Sequence, residues 1–595
     1  MNYDTEFKNS DRIYRIKLVG DMADNHFEAA VCGAPMTDYM KAEIADVVNN
    51  TRLVNMTRSI LFTYNDSKIY QNGIIFADSN FFDLFDYQFV YGDPHTCLDQ
   101  PNSLVLLQSV SDKFFKNDDP VGESIHTGSK TYTITAVVKD PDFDSHLTFN
   151  GLISLSSLRS HPRYAQFLQS PFAFIASSYV LLNKSNDVKS TQVRIDEITI
   201  KYMGDQMEQS GSNFRLELQP INSIHLHSDL LHEMGKSGDI NKVYIFSAIA
   251  FLILIIAIIN FINLTTARSN ARALEVGIRK VYGATKGKLI RQFLSETLII
   301  TLISIVISFA LVEMFFPIVN NLTGGDLVYN RMNILHIIIL IISLIIVAGI
   351  LSGLYPAIVL SAFKPIKVLK GDTLTGDKRP LFRNAMVVLQ FLITTILICS
   401  TLVVYKQLDF LKTKDIGYNP DNLLIVPLKE NKAVKALTAK WEELYPDTPF
   451  EYFFLDNSLS GMYTLENTTG GLFSYFTYLA ILIACLGLLG LVTFITEQRK
   501  REIGIKKVLG SSILQIVNSL LVKFLKLIIL AAVLAIPVAW YVMNLWLEDY
   551  PYRTDLDWWI FVLSVFAALI IAMITVGSIA YRAASRNPVD TIRYE

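Results

Sequence analysis

Seven apolar stretches, each about 20 residues or longer and so able to cross a bilayer, punctuate this chain. They are 243–266, 295–317, 333–360, 384–405, 473–496, 523–547 and 557–582. The 242 residues ahead of them have a different texture. Asp11 to Lys17 alternates apolar with polar residues, as a half-buried strand does. Ser103–Leu107 and Lys130–Lys139 are rich in strand-forming residues, and the second is broken by Asp140-Pro141-Asp142. Val110 to Phe115 has helical spacing and stops before Pro120; Val121-Gly122-Glu123 then turns into another strand. The pattern predicts a multi-span α-helical membrane protein with an α+β domain at residues 1–242. Between the fourth and fifth spans, 406–472 predicts a helix near Lys432–Glu443 and an apolar run Phe450–Leu455.

One polar segment occurs twice. Glu275, Gly277, Arg279, Lys280 and Gly283 recur as Glu502, Gly504, Lys506, Lys507 and Gly510, without a gap, at a constant offset of 227 residues. Each copy lies between two spans, so the membrane part is a duplication. Residues 243–360 form one half and 473–595 the other. The stretch 361–383 is a linker, and span 384–405 precedes the second half. Two readings of the repeated segment are open. It is an ordinary basic loop, or an amphipathic helix and turn that meets a partner. The matched order of Glu, Gly, basic pair and Gly favours the contact.

Basic residues set sidedness. Arg268 to Arg291, Lys364 to Arg383 and Arg499 to Lys507 are rich in Lys and Arg, whereas the loops between them hold Arg331 and Arg553. The positive-inside rule places the rich loops and the C-terminus in the cytoplasm, and 1–242 and 406–472 outside. Trp546, Trp558 and Trp559 flank the last outer loop as interfacial anchors. Nothing in Met1-Asn-Tyr-Asp4 resembles an export signal. Since the second half has a span before its outer segment, a helix is expected ahead of residue 1. Export by the following span is the alternative.

The net charge of −2 argues for no particular partner. Cys399 and Cys485 fall in apolar runs, and Cys32 and Cys97 can pair only if their geometry allows. His225, His227, His232 and Glu233 invite a metal reading, with His-x-His on one face of a strand. A plain membrane-proximal strand is the preferred reading, and no metal or cofactor is expected. Glu296 and Lys523 occupy equivalent places near span ends, and no charge stands at mid-span, which argues against an ion-coupled transporter. Gly349, Gly353, Gly487 and Gly490 predict close helix packing. No phosphate-binding loop, kinase set or nucleophile elbow is visible, and the chain reads as non-catalytic. An enzyme site in 1–242 is a weaker alternative.

The Glu-x-Gly-Ile-(Arg/Lys)-Lys-Val-x-Gly segments, each followed by two spans, resemble those of FtsX-like permeases of MacB-type ABC transporters. Tyr3-Asp4 with Asp11-Arg12-Ile13-Tyr14-Arg15-Ile16 is similar to the start of the MacB-type periplasmic core domain. Ile224 to Ser228 with Gly238-Asp239-Ile240 resembles its end in large duplicated members, such as those of Bacteroidetes, and Ala584 to Arg593 resembles the family C-terminus. The family's duplicated members carry eight helices and a larger second outer domain, so the resemblance implies a first helix and a fuller second outer domain beyond the seven spans and the short 406–472 read here. The resemblance implies a bacterial inner-membrane subunit. It would relay motion of a separate cytoplasmic ATPase dimer, with no nucleic acid involved, to the outer domain. A periplasmic adaptor or outer-membrane channel is an implied further partner. The ten repeated residues Glu275 to Gly283 and Glu502 to Gly510 would be the ATPase-coupling elements. Cargo would be a peptide, lipoprotein, antibiotic or lipid. The alternative is a regulator of an extracytoplasmic hydrolase or sensor kinase that transports nothing.

Overall fold

A computed structural model describes residues 3–22, 25–55, 59–65, 67–116, 118–128, 130–160, 162–184, 187–235, 238–267, 269–323, 334–361, 379–413, 464–586, and Lys440 and Glu443. Met1–Tyr244 falls in one compact unit and the helices from Ile245 onward in a second. The segments expected at Lys432–Glu443 and Phe450–Leu455 lie outside the described residues, apart from Lys440 and Glu443.

The first unit is built on one mixed sheet. Its path runs Asn213–Pro220, Ile13–Met22, Phe174–Leu182, Val47–Val54, Ile74–Ala77, Gly151–Ser154, Ser103–Leu107, Lys130–Val138, Ser124–Thr127, Ser59–Tyr64 and Ser67–Asn72. Ser103–Leu107 is buried along its whole length and pairs parallel with Lys130–Val138, which explains its unbroken apolar sequence. Two cores result. One gathers Phe81, Phe85 and Tyr87 around the central strands. The other lies under the helix Val188–Ser210, which buries Ile195, Ile198 and Met203. That helix starts where Asp187 accepts a bond from the Lys189 N–H and stops at Gly211, whose φ of +63° suits a left-handed cap.

Two buried polar knots hold this unit together. Arg15, buried on the strand Ile13–Met22, donates to Glu233, Gln219 and Ser228. The His146 ring lies 2.8 Å from Asp4 Oδ2 through Nδ1 and 2.8 Å from the Tyr179 hydroxyl through Nε2. Cys32 and Cys97 belong to different cores, and both are free thiols, so they do not pair.

Seven helices among the described residues are long and apolar enough to span a membrane, matching the seven stretches read from hydropathy. Numbering the helices of the membrane part, α1 is Ile240–Ala267, α2 Ser269–Val281 and α3 Lys286–Thr323. Helix α4 runs Ile334–Leu344, passes through a π-helical turn Ile345–Ile350, and continues as Leu351–Ser361. Then follow α5 Arg379–Thr413, α6 Thr464–Gln498, α7 Lys500–Val508, α8 Ile513–Glu548 and α9 Trp558–Ser585. The order α1–α2–α3–α4 is repeated by α6–α7–α8–α9, and α5 packs against α6, α8 and α9.

The glycines work as expected. A side chain at Gly353 would meet Thr297 and Leu294 of α3, and one at Gly349 would strike Leu298. Backbones come close there because nothing projects between them.

Candidate functional site

The repeated segment folds as a short helix and a tight turn in both halves. Helix α2 is seated by Val276, which is buried with Leu289, Phe293, Ala357 and Leu360 of α3 and α4. Helix α7 is seated by Ile503, buried with Ile516, Val517, Leu520, Ala580 and Ala584 of α8 and α9. Gly277 and Gly504, the next residues, are also buried.

Both helices end in the same way. The Gly283 N–H bonds to the Lys280 carbonyl and the Ala284 N–H to the Arg279 carbonyl. In the second half, Gly510 bonds to Lys507 and Ser511 to Lys506. This paired pattern requires a left-handed residue after the helix, and φ is +88° at Gly283 and +90° at Gly510. A side chain at either position would be strained in that conformation. The chain then re-enters a helix at once. Ser512 caps α8 with a reciprocal bond pair to Gln515, and Thr285 Oγ1 accepts from Lys288 N–H at the start of α3.

The charges divide into two roles. Glu275 pairs with Arg279 at 2.8 Å, and Glu502 with Lys506 at 2.9 Å, one turn apart on their own helices. The Lys506 hydrogen bond holds the Glu502 carboxyl below the usual carboxylate range; Arg499 and Lys523 reinforce it against partial burial. The second basic residue reaches away from its helix. Lys280 Nζ donates to the Ser361 carbonyl at 2.6 Å, and Lys507 Nζ donates to the Ala584 and Arg586 carbonyls, each at 2.8 Å. These carbonyls end α4 and α9, where unpaired acceptors and the helix dipole favour a cation. All ten residues singled out from the sequence are therefore placed together within their halves. Their charges are largely engaged inside the chain.

Exposed apolar side chains stand beside these charges. Ile278, Val281 and Tyr282 are 44%, 63% and 87% exposed; their equivalents Ile505, Val508 and Leu509 are 46%, 64% and 79% exposed. Sequence reasoning passed over them, although their i, i+3, i+4 spacing marks one helix face.

One other expectation resolves differently. His225 and His227 lie on a helix, Ile221–His227, and not on a strand, because Ile221 and Ile224 bury themselves three residues apart. The His225 ring stacks on Tyr3 at 3.4 Å, and among the described residues no three His, Cys, Asp or Glu side chains converge on one point. Glu296 is an ion-pair partner of Arg272 at 2.7 Å, whereas its equivalent is the cation Lys523.

Among the described residues, seven membrane-length helices in two like-ordered halves, with an N-terminal α/β domain, define a multi-pass membrane protein. Residues 247–365 and 474–588 match the FtsX-like permease C-terminal family, and residues 1–198 match the MacB-like periplasmic core domain. The chain is an FtsX-like permease with a MacB-like periplasmic core domain. The macrolide export ATP-binding/permease protein MacB of Aggregatibacter actinomycetemcomitans is 25% identical over 214 residues, covering 35% of this chain and 29% of that protein. MacB of Acinetobacter baylyi is 22% identical over 325 residues, or 54% of this chain and 45% of its relative. The chain thus spans less than half the length of these relatives. The crystal structure of the periplasmic region of MacB from Actinobacillus actinomycetemcomitans covers 34% of this chain and 87% of its own, at 11% identity and a TM-score of 0.25.

Proposed function

We propose that this chain is the membrane subunit of an ATP-driven machine, and that α2 and α7 receive an ATPase dimer from the cytoplasm. ATP binding by that dimer drives the two helices together. The membrane helices pass the motion to the domain formed by residues 1–242, which acts on a peptide, lipoprotein, antibiotic or lipid. The relatives whose names join ATP binding to a permease support this reading. The observation that carries it is the matched pair of helix-turns. Each has the same glycine cap, the same lysine tie to the end of its half's last helix, and the same three exposed apolar positions. Two equal sockets on one chain suit two copies of one partner.

The assignment of contact is sharper than charge alone would give. Glu275, Arg279, Glu502 and Lys506 satisfy one another, and Lys280 and Lys507 anchor the helices. Docking then falls to Ile278, Val281 and Tyr282, and to Ile505, Val508 and Leu509, whose burial by a partner is the driving force. A photo-crosslinking amino acid placed at 282 or 509 in living cells tests the proposal. Capture of a nucleotide-binding protein at both positions is the expected result. Labelling of lipid alone at both would defeat it.

A further inference from the structure

Beside the repeated helix the two halves differ in charge. In the first, Arg272 donates to Glu296 at 2.7 Å, Gln292 Nε2 donates to the same carboxylate at 3.3 Å, and the guanidinium lies 5.8 Å from the centre of the Phe293 ring. Gln292, Phe293 and Glu296 all belong to α3, so this half closes its own ion pair. The offset of 227 residues carries the four positions to Arg499, Ser519, Leu520 and Lys523. The arginine is kept, and each group that held it is replaced. Ser519 donates its hydroxyl to the Ile516 carbonyl of its own helix at 2.8 Å. A leucine takes the place of the ring, and a lysine stands where the carboxylate was.

A third cation joins them. Arg383, near the start of α5, is close enough for its charge to act on Arg499 and on Lys523, and those two act on each other. Glu502 is the carboxylate that also reaches Lys523. It is shared: it lies 3.9 Å from Arg499 but 2.9 Å from Lys506, to which it is hydrogen-bonded. Glu497, two residues before Arg499, pairs with Arg586 at 3.1 Å. Among the described residues no carboxylate lies within ion-pair distance of Arg383 or Lys523. Two half-buried cations and a third at their side therefore divide one engaged carboxylate. That is costly at the edge of a bilayer unless another anion meets them.

We infer that Arg383, Arg499 and Lys523 bind the phosphate of an anionic phospholipid, so that the second half takes from the bilayer the counter-ion that Glu296 supplies in the first. Their height selects lipid. Arg383 precedes span 384–405 by one residue, Arg499 follows span 473–496 by three, and Lys523 opens span 523–547. All three stand at the membrane surface that faces the charge-rich loops, where lipid phosphates lie and basic clusters attract anionic headgroups. Lys523 is ten residues into α8, about 15 Å along its axis from Ile513, and so at the membrane end of that stretch, away from the exposed apolar residues of the turn. Their chemistry fits as well. Guanidinium groups present paired N–H donors that match phosphate oxygens, and the lysine adds a point charge. A headgroup with its own ammonium is the poorer ligand, because these cations repel it. The inference rests on the repeat and its charges and does not depend on an ATPase.

Native mass spectrometry of the purified full chain in detergent tests it, with palmitoyl-oleoyl phosphatidylglycerol and the matching phosphatidylethanolamine as probes. One phosphatidylglycerol per chain should bind more tightly than any further lipid, and more tightly than phosphatidylethanolamine. Lys523→Glu rebuilds the pairing seen at Arg272 and Glu296, so that chain should stay folded while the site weakens about 30-fold. Arg383→Gln removes one charge and should weaken it about fivefold, and Lys523→Arg should leave it unchanged. Thermal unfolding without added lipid identifies the folded variants, and Arg383→Gln decides if Lys523→Glu does not accumulate. Inorganic phosphate in large excess should not displace the lipid. An Arg383→Gln chain, or a folded Lys523→Glu chain, that binds phosphatidylglycerol as the starting protein does would overturn the inference. So would equal binding of the two lipids. Displacement by inorganic phosphate would make the ligand a soluble anion and overturn it too. Loss of a co-purifying ATPase from Lys523→Glu with lipid binding unchanged would assign the cluster to an acidic protein surface instead.

Discussion

Replacing Val281 and Tyr282, and Val508 and Leu509, by serine tests which face of α2 and α7 binds. Fully burying one such side chain is worth about 1.5–3 kcal/mol. These four are roughly two-thirds or more exposed in the free chain, so a partner that covers them gains about 1–2 kcal/mol from each. Each site then loses about 2–4 kcal/mol on substitution, or roughly 30- to 1000-fold in Kd. Both sites must be changed together, because one intact site retains the partner by effective concentration. Glu275→Gln with Glu502→Gln is the matched control. It removes two exposed one-turn pairs, each worth about 0.3–0.5 kcal/mol, and should shift affinity about twofold. The assay is retention of the ATPase on the detergent-solubilised permease, read beside thermal unfolding of the permease alone. Unchanged unfolding with lost retention is the expected result for the serine variants. If the glutamine variant loses the ATPase while the serine variant keeps it, charge carries docking and the apolar argument fails.

Lys280→Met and Lys507→Met should each lower the unfolding temperature of the membrane part, because each Nζ bonds to a main-chain carbonyl at the end of its half's last helix; a charge-assisted bond of this kind contributes about 1.5–3 kcal/mol. Burial tends to raise the Glu233 carboxyl, but hydrogen bonds and charge from Arg15 outweigh it and leave its pKa lowered. The stability this gives is present above the unfolded carboxylate value near 4.5 and is lost as pH falls through the lower folded value. The outer domain should therefore melt progressively more easily below about pH 4.5. Arg15→Gln should reverse the sign of this contribution, because burial then acts on Glu233 unopposed by Arg15, and should cost about 3–5 kcal/mol near neutral pH by leaving Glu233 buried without its cation. Burial pushes the Cys32 thiol to about 11 and the Cys97 thiol to about 12. Alkylation of the folded chain should spare both, and peptide mass analysis after unfolding without reductant should find Cys32 and Cys97 each as a free thiol; a linked Cys32–Cys97 peptide pair, two hydrogens lighter, would contradict the separate-core placement.

The spans were readable because about 20 consecutive apolar residues admit few other fates. Their ends were not. Span 523–547 proved to be the interior of a helix starting at Ile513, since the Ser512 and Gln515 cap extends it past the apolar run. The strand Ser103–Leu107 was legible from composition, but its parallel partner was not, because register depends on a chain segment nearly thirty residues away. At the site, the repeat announced its charged residues plainly. What those residues hold was hidden: Lys280 and Lys507 bond to main-chain carbonyls about eighty residues on, and a carbonyl leaves no mark in sequence. The histidine run misled through its local pattern, since two isoleucines at helical spacing outweighed the strand reading.

The lysine ties have a mechanical meaning. A turn joined to the membrane only by its two flanking helices would flex like a hairpin when pushed. Here an ammonium group bolts each turn to the carbonyl end of a third helix, while Val276 or Ile503 wedges the space beneath. In the proposed function, a load placed on either turn would pass through that bond into α4 or α9 as well as through the two flanking helices.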